Sequence, residues 1–313
     1  MARKVSEGFE ISKHDSEYPD SVLELGDAPD TLFARGDLDI LQAPSLSVIG
    51  SRRPTPYGLA AAELAGSVAA QSGLVEVSGG ARGVDQAGGW AALREGGAHV
   101  IVLGTGADVD YPKSVSALIE RTLSAGGTVI SPAPWGSPPR RFAFPRRNRI
   151  IAALSSALFI SEAALPSGTF STAECAVDLG REVLVAPGSM FSPESRGSNY
   201  LIANGATLIS DEDALEIAIS RIYGTLRLDS EGPLCSIKLE GDKRRLLNAL
   251  LAQSLSPAEI QRLLGKDLIA TSLLLSEMEI DGFVTRLIDG RYSVSKKILH
   301  DSGSIGHNGS SQR

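Results

Sequence analysis

A doubly wound, mainly parallel α/β sheet followed by a small C-terminal winged helix is the fold this sequence predicts. Three observations carry that expectation. From Leu46 onward, short apolar runs of strand length alternate with Ala-rich helical patterns, the signature of βαβ units covered by helices on both faces. Each of several strands ends in a turn rich in Gly, Ser or Arg: Gly50-Ser51-Arg52, Ser78-Gly79-Gly80-Ala81-Arg82-Gly83, Gly104-Thr105-Gly106 and Pro187-Gly188-Ser189. After residue 240 the pattern changes to three helices and a hairpin within about 55 residues.

The predicted elements follow in order. Residues 1–18 are polar and expected to fray. They belong to an N-terminal arm and lead-in, residues 1–45, with a short strand at 31–35. The main domain, residues 46–223, has strands predicted at 46–49, 74–77, 99–103, 127–130, 157–161, 182–186 and 206–209. Its helices are predicted at 59–71, 83–95, 113–124, 146–154, 172–179, 198–204 and 211–223. A linker at 224–240, broken by Gly232-Pro233, precedes the winged helix at 241–296. There Ser256-Pro257-Ala258-Glu259 reads as a helix start with a capping box, and Asp289-Gly290 as the hairpin turn. Residues 297–313 form a tail of disordered composition.

Composition narrows the function. At 313 residues with 42% hydrophobic content the chain can build a large core and a second small one. It has no apolar run of about 18 residues, and its N-terminus lacks a secretory signal, so no membrane association is expected. Cys175 and Cys235 are the only cysteines, and neither they nor the four scattered histidines have metal-site spacing. No cofactor is expected, and a reducing cytoplasm is the natural compartment. A net charge of −7 speaks against a polyanionic partner, but the distribution of that charge points the other way. Residues 1–45 hold 10 acidic against 4 basic side chains, whereas no acid occurs between Glu120 and Glu162, where Arg121, Arg140, Arg141, Arg146, Arg147 and Arg149 fall.

Four segments carry candidate chemistry. The turn Gly50-Ser51-Arg52-Arg53 offers backbone N–H groups at a helix start and two guanidinium forks, a ready phosphate site; the plainer alternative is a tight turn with solvated arginines. The loop holding Gly80, Arg82 and Gly83 offers the same chemistry, with Asp85 capping or pairing. It is neither G-x-G-x-x-G nor a P-loop. In Arg140-Arg141-Phe142-Ala143-Phe144-Pro145-Arg146-Arg147-Asn148-Arg149, five arginines interleave with two phenylalanines. That pattern fits an unpaired polynucleotide, charges following the backbone and rings stacking on bases; core phenylalanines and paired arginines are the alternative. Ser167, Gly168 and Thr169 add hydroxyls and amides between a strand and a helix. Glu162 and Glu174 are conceivable as an acid/base pair, or else cap helices and orient arginines.

These segments, in this order, resemble the DNA-processing protein A family (DprA, also called Smf). The resemblance rests on Val48-Ile49-Gly50-Ser51-Arg52-Arg53, Ser78-Gly79-Gly80-Ala81-Arg82-Gly83-Val84-Asp85, Phe144-Pro145-Arg146-Arg147-Asn148-Arg149-Ile150-Ile151-Ala152, Ser167-Gly168-Thr169, Ala186-Pro187-Gly188-Ser189 and Arg196-Gly197-Ser198-Asn199. It covers roughly residues 18–295. It implies an extended Rossmann-like domain that binds single-stranded DNA without sequence preference, dimerises, and helps load a RecA-type recombinase during natural transformation. No catalysis is implied. Arg52 and the group Arg146, Arg147 and Arg149 fall on the family's basic pocket.

Three departures stand out. Only 17 residues precede Tyr18, so the N-terminal helical domain of many members is not expected. Gly80 replaces a leucine common in relatives, and Glu174 stands where they often carry arginine. With Pro166 and Gly168, Glu174 also brings the loop near the P-G-G-x-G-T-x-x-E motif of lysine-decarboxylase-like nucleotide hydrolases. A nucleotide-monophosphate phosphoribohydrolase, or a nucleotide sensor, is therefore the rival reading. A third has the winged helix reading duplex DNA; its candidate helix 269–281 holds three acids and no Lys or Arg, which favours a protein contact instead.

Overall fold

The computed structural model describes residues 3–5, 8–224, 241–252, 255–287 and 290–295. The expected linker beyond Gly224, the tail at 297–313 and Asp289 of the hairpin turn lie outside the described residues. The chain divides into two compact units, Met1–Leu215 and Glu216–Arg313.

The first unit is a ten-stranded sheet: β1 (Arg3–Val5), β2 (Gly8–Ser12), β3 (Thr31–Gly36), β4 (Ser45–Ile49), β5 (Val75–Ser78), β6 (His99–Val102), β7 (Thr128–Ser131), β8 (Ala157–Ile160), β9 (Glu182–Val185) and β10 (Thr207–Leu208). Their spatial order is β1-β2-β3-β7-β6-β5-β4-β8-β9-β10. From β7 to β10 every neighbour is parallel, while β1, β2 and β3 join antiparallel at one edge. The chain enters at β4, steps outward through β5, β6 and β7, then returns to β8 on the other side. The order reverses between β4 and β8, and ligands of such sheets bind outside the strand carboxyl ends at that point.

One expectation is overturned here. Residues 8–12 do not fray but form β2, whose Ile11 is fully buried and pairs with Leu32. Tyr18 is also buried and donates its hydroxyl to Pro29 O at 2.7 Å. Only Phe9-Glu10-Ile11 alternates in sequence, too short a run to stand out among charges. The lead-in thus belongs to the sheet.

The helices of the first unit are α1 (Asp20–Leu23), α2 (Pro56–Gln71), α3 (Val84–Arg94), α4 (Ser116–Ser124), α5 (Ala143–Leu154), α6 (Thr169–Asp178) and α7 (Arg196–Ala203), and α8 (Glu212–Tyr223) begins in this unit and runs into the second. The inner strands β4, β5, β6 and β8 are buried along their whole length, which explains their largely apolar text. Two buried serines in β4 have a positioning task. Ser45 Oγ donates to Leu154 O at 2.9 Å and Ser47 Oγ to Ile151 O at 2.8 Å, which ties α5 to the central strand and fixes where its arginines project.

The second unit has helices Gly241–Ala252, Pro257–Leu264 and Leu268–Ile280, then an antiparallel pair Val284–Arg286 and Tyr292–Val294. The capping box at Ser256 and Glu259 forms as the sequence predicts. Leu246, Leu250, Ile260, Leu275 and Met278 fill its core, and Ile269, Leu273 and Ile280 are exposed on the third helix.

Candidate functional site

The site is built outward from the end of β4. The chain turns at Gly50, where a Cβ would lie 2.9 Å from both Glu162 O and Val84 Cγ2. Ser51 N–H donates to Glu162 O at 2.8 Å, and Val84 N–H donates to Ser51 O at 3.2 Å. The turn is thus clamped between the β8 loop and the start of α3. Glu162 is buried and serves this clamp. It accepts Thr55 N–H at 2.7 Å and Thr55 Oγ1–H at 2.8 Å, holding the N-cap of α2. That is the structural role foreseen for it rather than acid/base work.

Beside the turn, at the β4/β8 reversal, lies a cavity of about 490 Å³. Its walls are Ile49 to Arg53, Ala81 and Asp85, Arg147, Asn148 and Ile151 of α5, and the segment Pro166 to Thr169 with Thr172. Arg147 is only 4% exposed and forms part of the wall. Its Nη1 occupies the space that a side chain at position 79 would fill, since a Cβ on Gly79 would fall 1.3 Å away. Burial pulls the Arg147 guanidinium down to about 10, against the opposing pull of Asp85 and with a further push from Arg52. Its Nε has no hydrogen-bond partner. A cation that is desolvated, only partly compensated and facing a cavity favours an incoming anion.

Asp85 has the complementary environment. Burial raises its pKa, opposed first by Arg147 and then by amides of the glycine loop. Its Oδ2 accepts Gly79 N–H at 3.1 Å and Ala81 N–H at 3.3 Å.

Several amides of the expected phosphate cradle are engaged within the protein: Gly79 and Ala81 by Asp85, Ser51 by Glu162 O, Arg53 by Ser51 Oγ at 3.1 Å, and Thr169 by Ser167 Oγ at 3.2 Å. Buried amides find partners whether or not a ligand arrives.

Of the residues singled out in sequence, the structure brings Gly50, Ser51, Arg52, Arg53, Arg147, Asn148, Ser167, Gly168 and Thr169 to one cavity. Arg52 and Arg53 are exposed, and among the described residues neither is in an ion pair. Phe144 stands just outside the cavity, with the Arg52 guanidinium 5.7 Å from its ring centroid and Tyr111 tilted against it at 5.8 Å. Gly80 and Gly83 line no part of the cavity. They make the loop's turns at φ +64° and +87°, and a Cβ on Gly83 would meet Ser51 O at 2.5 Å. Arg82 is exposed outside the cavity. Arg146 is exposed on the lead-in side: Asp30, held below its ordinary range first by Lys13, also feels Arg146. Arg149 does not line the cavity. It pairs with Asp27 at 2.8 Å, because α5 turns that face toward the acidic lead-in. Glu174 is exposed and lies outside the cavity.

Sequence reasoning missed Gly79 as the residue that admits Arg147, and Tyr111 as the neighbour of Phe144. Gly79 sat in plain view in the loop, but nothing in sequence says which side chain needs its space. Tyr111 carries no signal of its own.

The doubly wound, mostly parallel sheet, with an arginine-lined cavity at its switch point, defines an α/β protein of Rossmann type. Residues 10–219 match the DNA recombination-mediator protein A family, and the chain belongs to that family. It is 41% identical over 204 residues to protein Smf of Escherichia coli, a match covering 64% of this chain and 54% of that protein. The chain thus spans about half of that relative's length. The X-ray structure of DNA processing protein A from Streptococcus pneumoniae superposes with a TM-score of 0.61 at 38% identity, covering 66% of this chain and 72% of the other. The Helicobacter pylori DNA processing protein A, whose structure describes a single-stranded DNA binding mode, superposes with a TM-score of 0.62 at 28% identity, covering 68% and 97%.

Proposed function

We propose that this carboxyl rim binds single-stranded DNA, without sequence preference, through its sugar–phosphate backbone. The protein acts as a non-enzymatic mediator in the processing of incoming DNA during natural transformation. As a homodimer it passes the strand to a RecA-type recombinase. One observation carries the binding step: Arg52 and Arg53 stand exposed and without ion pairs, among the described residues, at a cavity walled by the buried Arg147. Guanidinium forks at two depths can hold consecutive phosphates. The ring of Phe144 beside Arg52 offers a stacking face for a base. The binding mode described for the Helicobacter pylori relative supports the same ligand class.

The nucleotide-hydrolase reading is weaker, because Glu174 is exposed outside the cavity and the carboxylate within it, Asp85, is engaged by two amides. The exposed helix Leu268–Ile280 carries no basic side chain, which supports a protein contact over duplex reading. The test is fluorescence anisotropy with labelled oligo(dT) and with a duplex of equal length, beside a panel of nucleoside monophosphates followed for base release. Tight strand binding, weaker duplex binding and inertness toward the nucleotides are expected. Base release lost on Glu174→Gln would overturn the reading.

A further inference from the structure

The cavity is not the only built feature on this rim. One strand over from β8, the carboxyl end of β9 leads into Ala186-Pro187-Gly188-Ser189-Met190-Phe191. Met190 is 79% and Phe191 87% exposed, far more than an apolar pair needs to be on a chain that can bury it. Yet the loop beneath them is tightly held. Gly188 N–H donates to Asn199 Oδ1 at 3.1 Å, and Asn199 Nδ2 donates back to Gly188 O at 3.0 Å. Phe191 N–H donates to Ser189 Oγ at 3.2 Å. Tyr57 Oη donates to Pro187 O at 2.6 Å, and this links the loop to the same α2 start that follows Arg52 and Arg53. A braced loop that presents two large apolar side chains to water carries a solvation cost in the free protein.

We infer that Met190 and Phe191 form a second base-stacking platform for the same single strand, on the opposite side of the cavity from Arg52, Phe144 and Tyr111. This rests on the proposed strand-binding role of the cavity and extends it. Phe144 packs at Gly104, just past β6, where a Cβ would lie 3.0 Å from its Cδ1. Phe191 follows β9, four strand intervals away, or about 19 Å along the rim. The cavity at the β4/β8 junction lies between them. Arginines hold the backbone in the middle, and an apolar face waits on each flank. Every base has a π-face, so stacking adds length-dependent affinity without sequence preference. The occupant is a base of the bound strand, because Tyr57 of α2, four residues after Arg53, ties the loop to the rim that carries the arginines.

The experiment uses the full chain with oligo(dT) of about 4 and about 16 nucleotides, bracketing the usual range of single-strand site sizes. Met190→Ser with Phe191→Ser should weaken the longer strand about ten-fold and the shorter less than two-fold, with the salt slope unchanged because no phosphate contact is lost. Phe191→Trp should keep wild-type affinity and change its emission on saturation with the longer strand only. Serine variants that bind both lengths like wild type, or a tryptophan whose emission stays fixed at saturation, would overturn the proposal while leaving the cavity's role intact. A variant that changes only the sedimentation of the free protein would reassign the patch to self-association and equally overturn it. Failure of the wild type to bind either strand would instead refute the cavity reading.

Discussion

The turn after β4 and the start of α5 hold the two densest arginine groups of the α/β unit, and the structure treats them in opposite ways. In the turn, Arg52 and Arg53 follow a glycine clamped by Glu162 O and Val84, so both side chains are thrown outward at the cavity mouth. On α5, helical geometry sends Arg147 away from Arg146 and Arg149, which lie three residues apart and share the face toward the lead-in. Arg146 points to solvent near the lead-in, Arg147 into the space left by Gly79, and Arg149 onto Asp27. A helix cannot present neighbouring residues on one face, whereas a turn at a strand end can. A count of arginines therefore overstates the cations available to a ligand, and the backbone that carries them decides which are free.

Substitutions can break this contrast at chosen points. Among single substitutions the largest effect is expected from Gly79→Ala. The new methyl falls 1.3 Å from Arg147 Nη1, so the guanidinium must leave its seat. Chemical denaturation should show a loss of about 2 kcal/mol, and strand affinity should fall about ten-fold as Arg147 is displaced. Tyr18→Phe probes the lead-in that carries Asp27 and Asp30. Burial raises the Tyr18 phenol to about 12, so its contribution to stability is whole below pH 10 and is lost as pH rises from about 10 toward about 12. The variant should lose about 1 kcal/mol through the missing bond to Pro29 O and show a flatter alkaline limb in denaturation midpoints against pH. Arg149→Ala should matter least. Its pair with Asp27 is partly exposed, so stability should change by less than about 1 kcal/mol and strand affinity by less than two-fold. A large loss of binding there would mean that the α5 arginines act together after all.

The sequence made the parallel sheet and its helices legible because strand-length, largely apolar runs alternate with helical patterns from β4 to α8. It missed β2, whose alternating text is too short, and it extended anion binding to amides that Asp85 and Glu162 engage. The cavity's membership was readable where residues lie in turns, as with Arg52, Arg53 and Ser167 to Thr169. On α5 it was readable only in part: Arg147 and Asn148 line the cavity, but which side of the helix meets an acidic neighbour depends on Asp27, 122 residues earlier in the chain. Gly79 shows the same limit: its need is set by a side chain from another element.

Exposed guanidinium groups of the β4 turn, and not backbone amides, are what should hold the strand. The most direct test is the salt dependence of oligo(dT) affinity, between about 50 and 200 mM salt, for wild type and for Arg52→Glu with Arg53→Glu. Both residues are exposed, so the variant should fold normally. Its affinity is expected to drop about 100-fold or more at low salt, and the slope of log affinity against log salt to shrink by about 2. A folded variant with wild-type affinity and an unchanged slope would contradict this assignment.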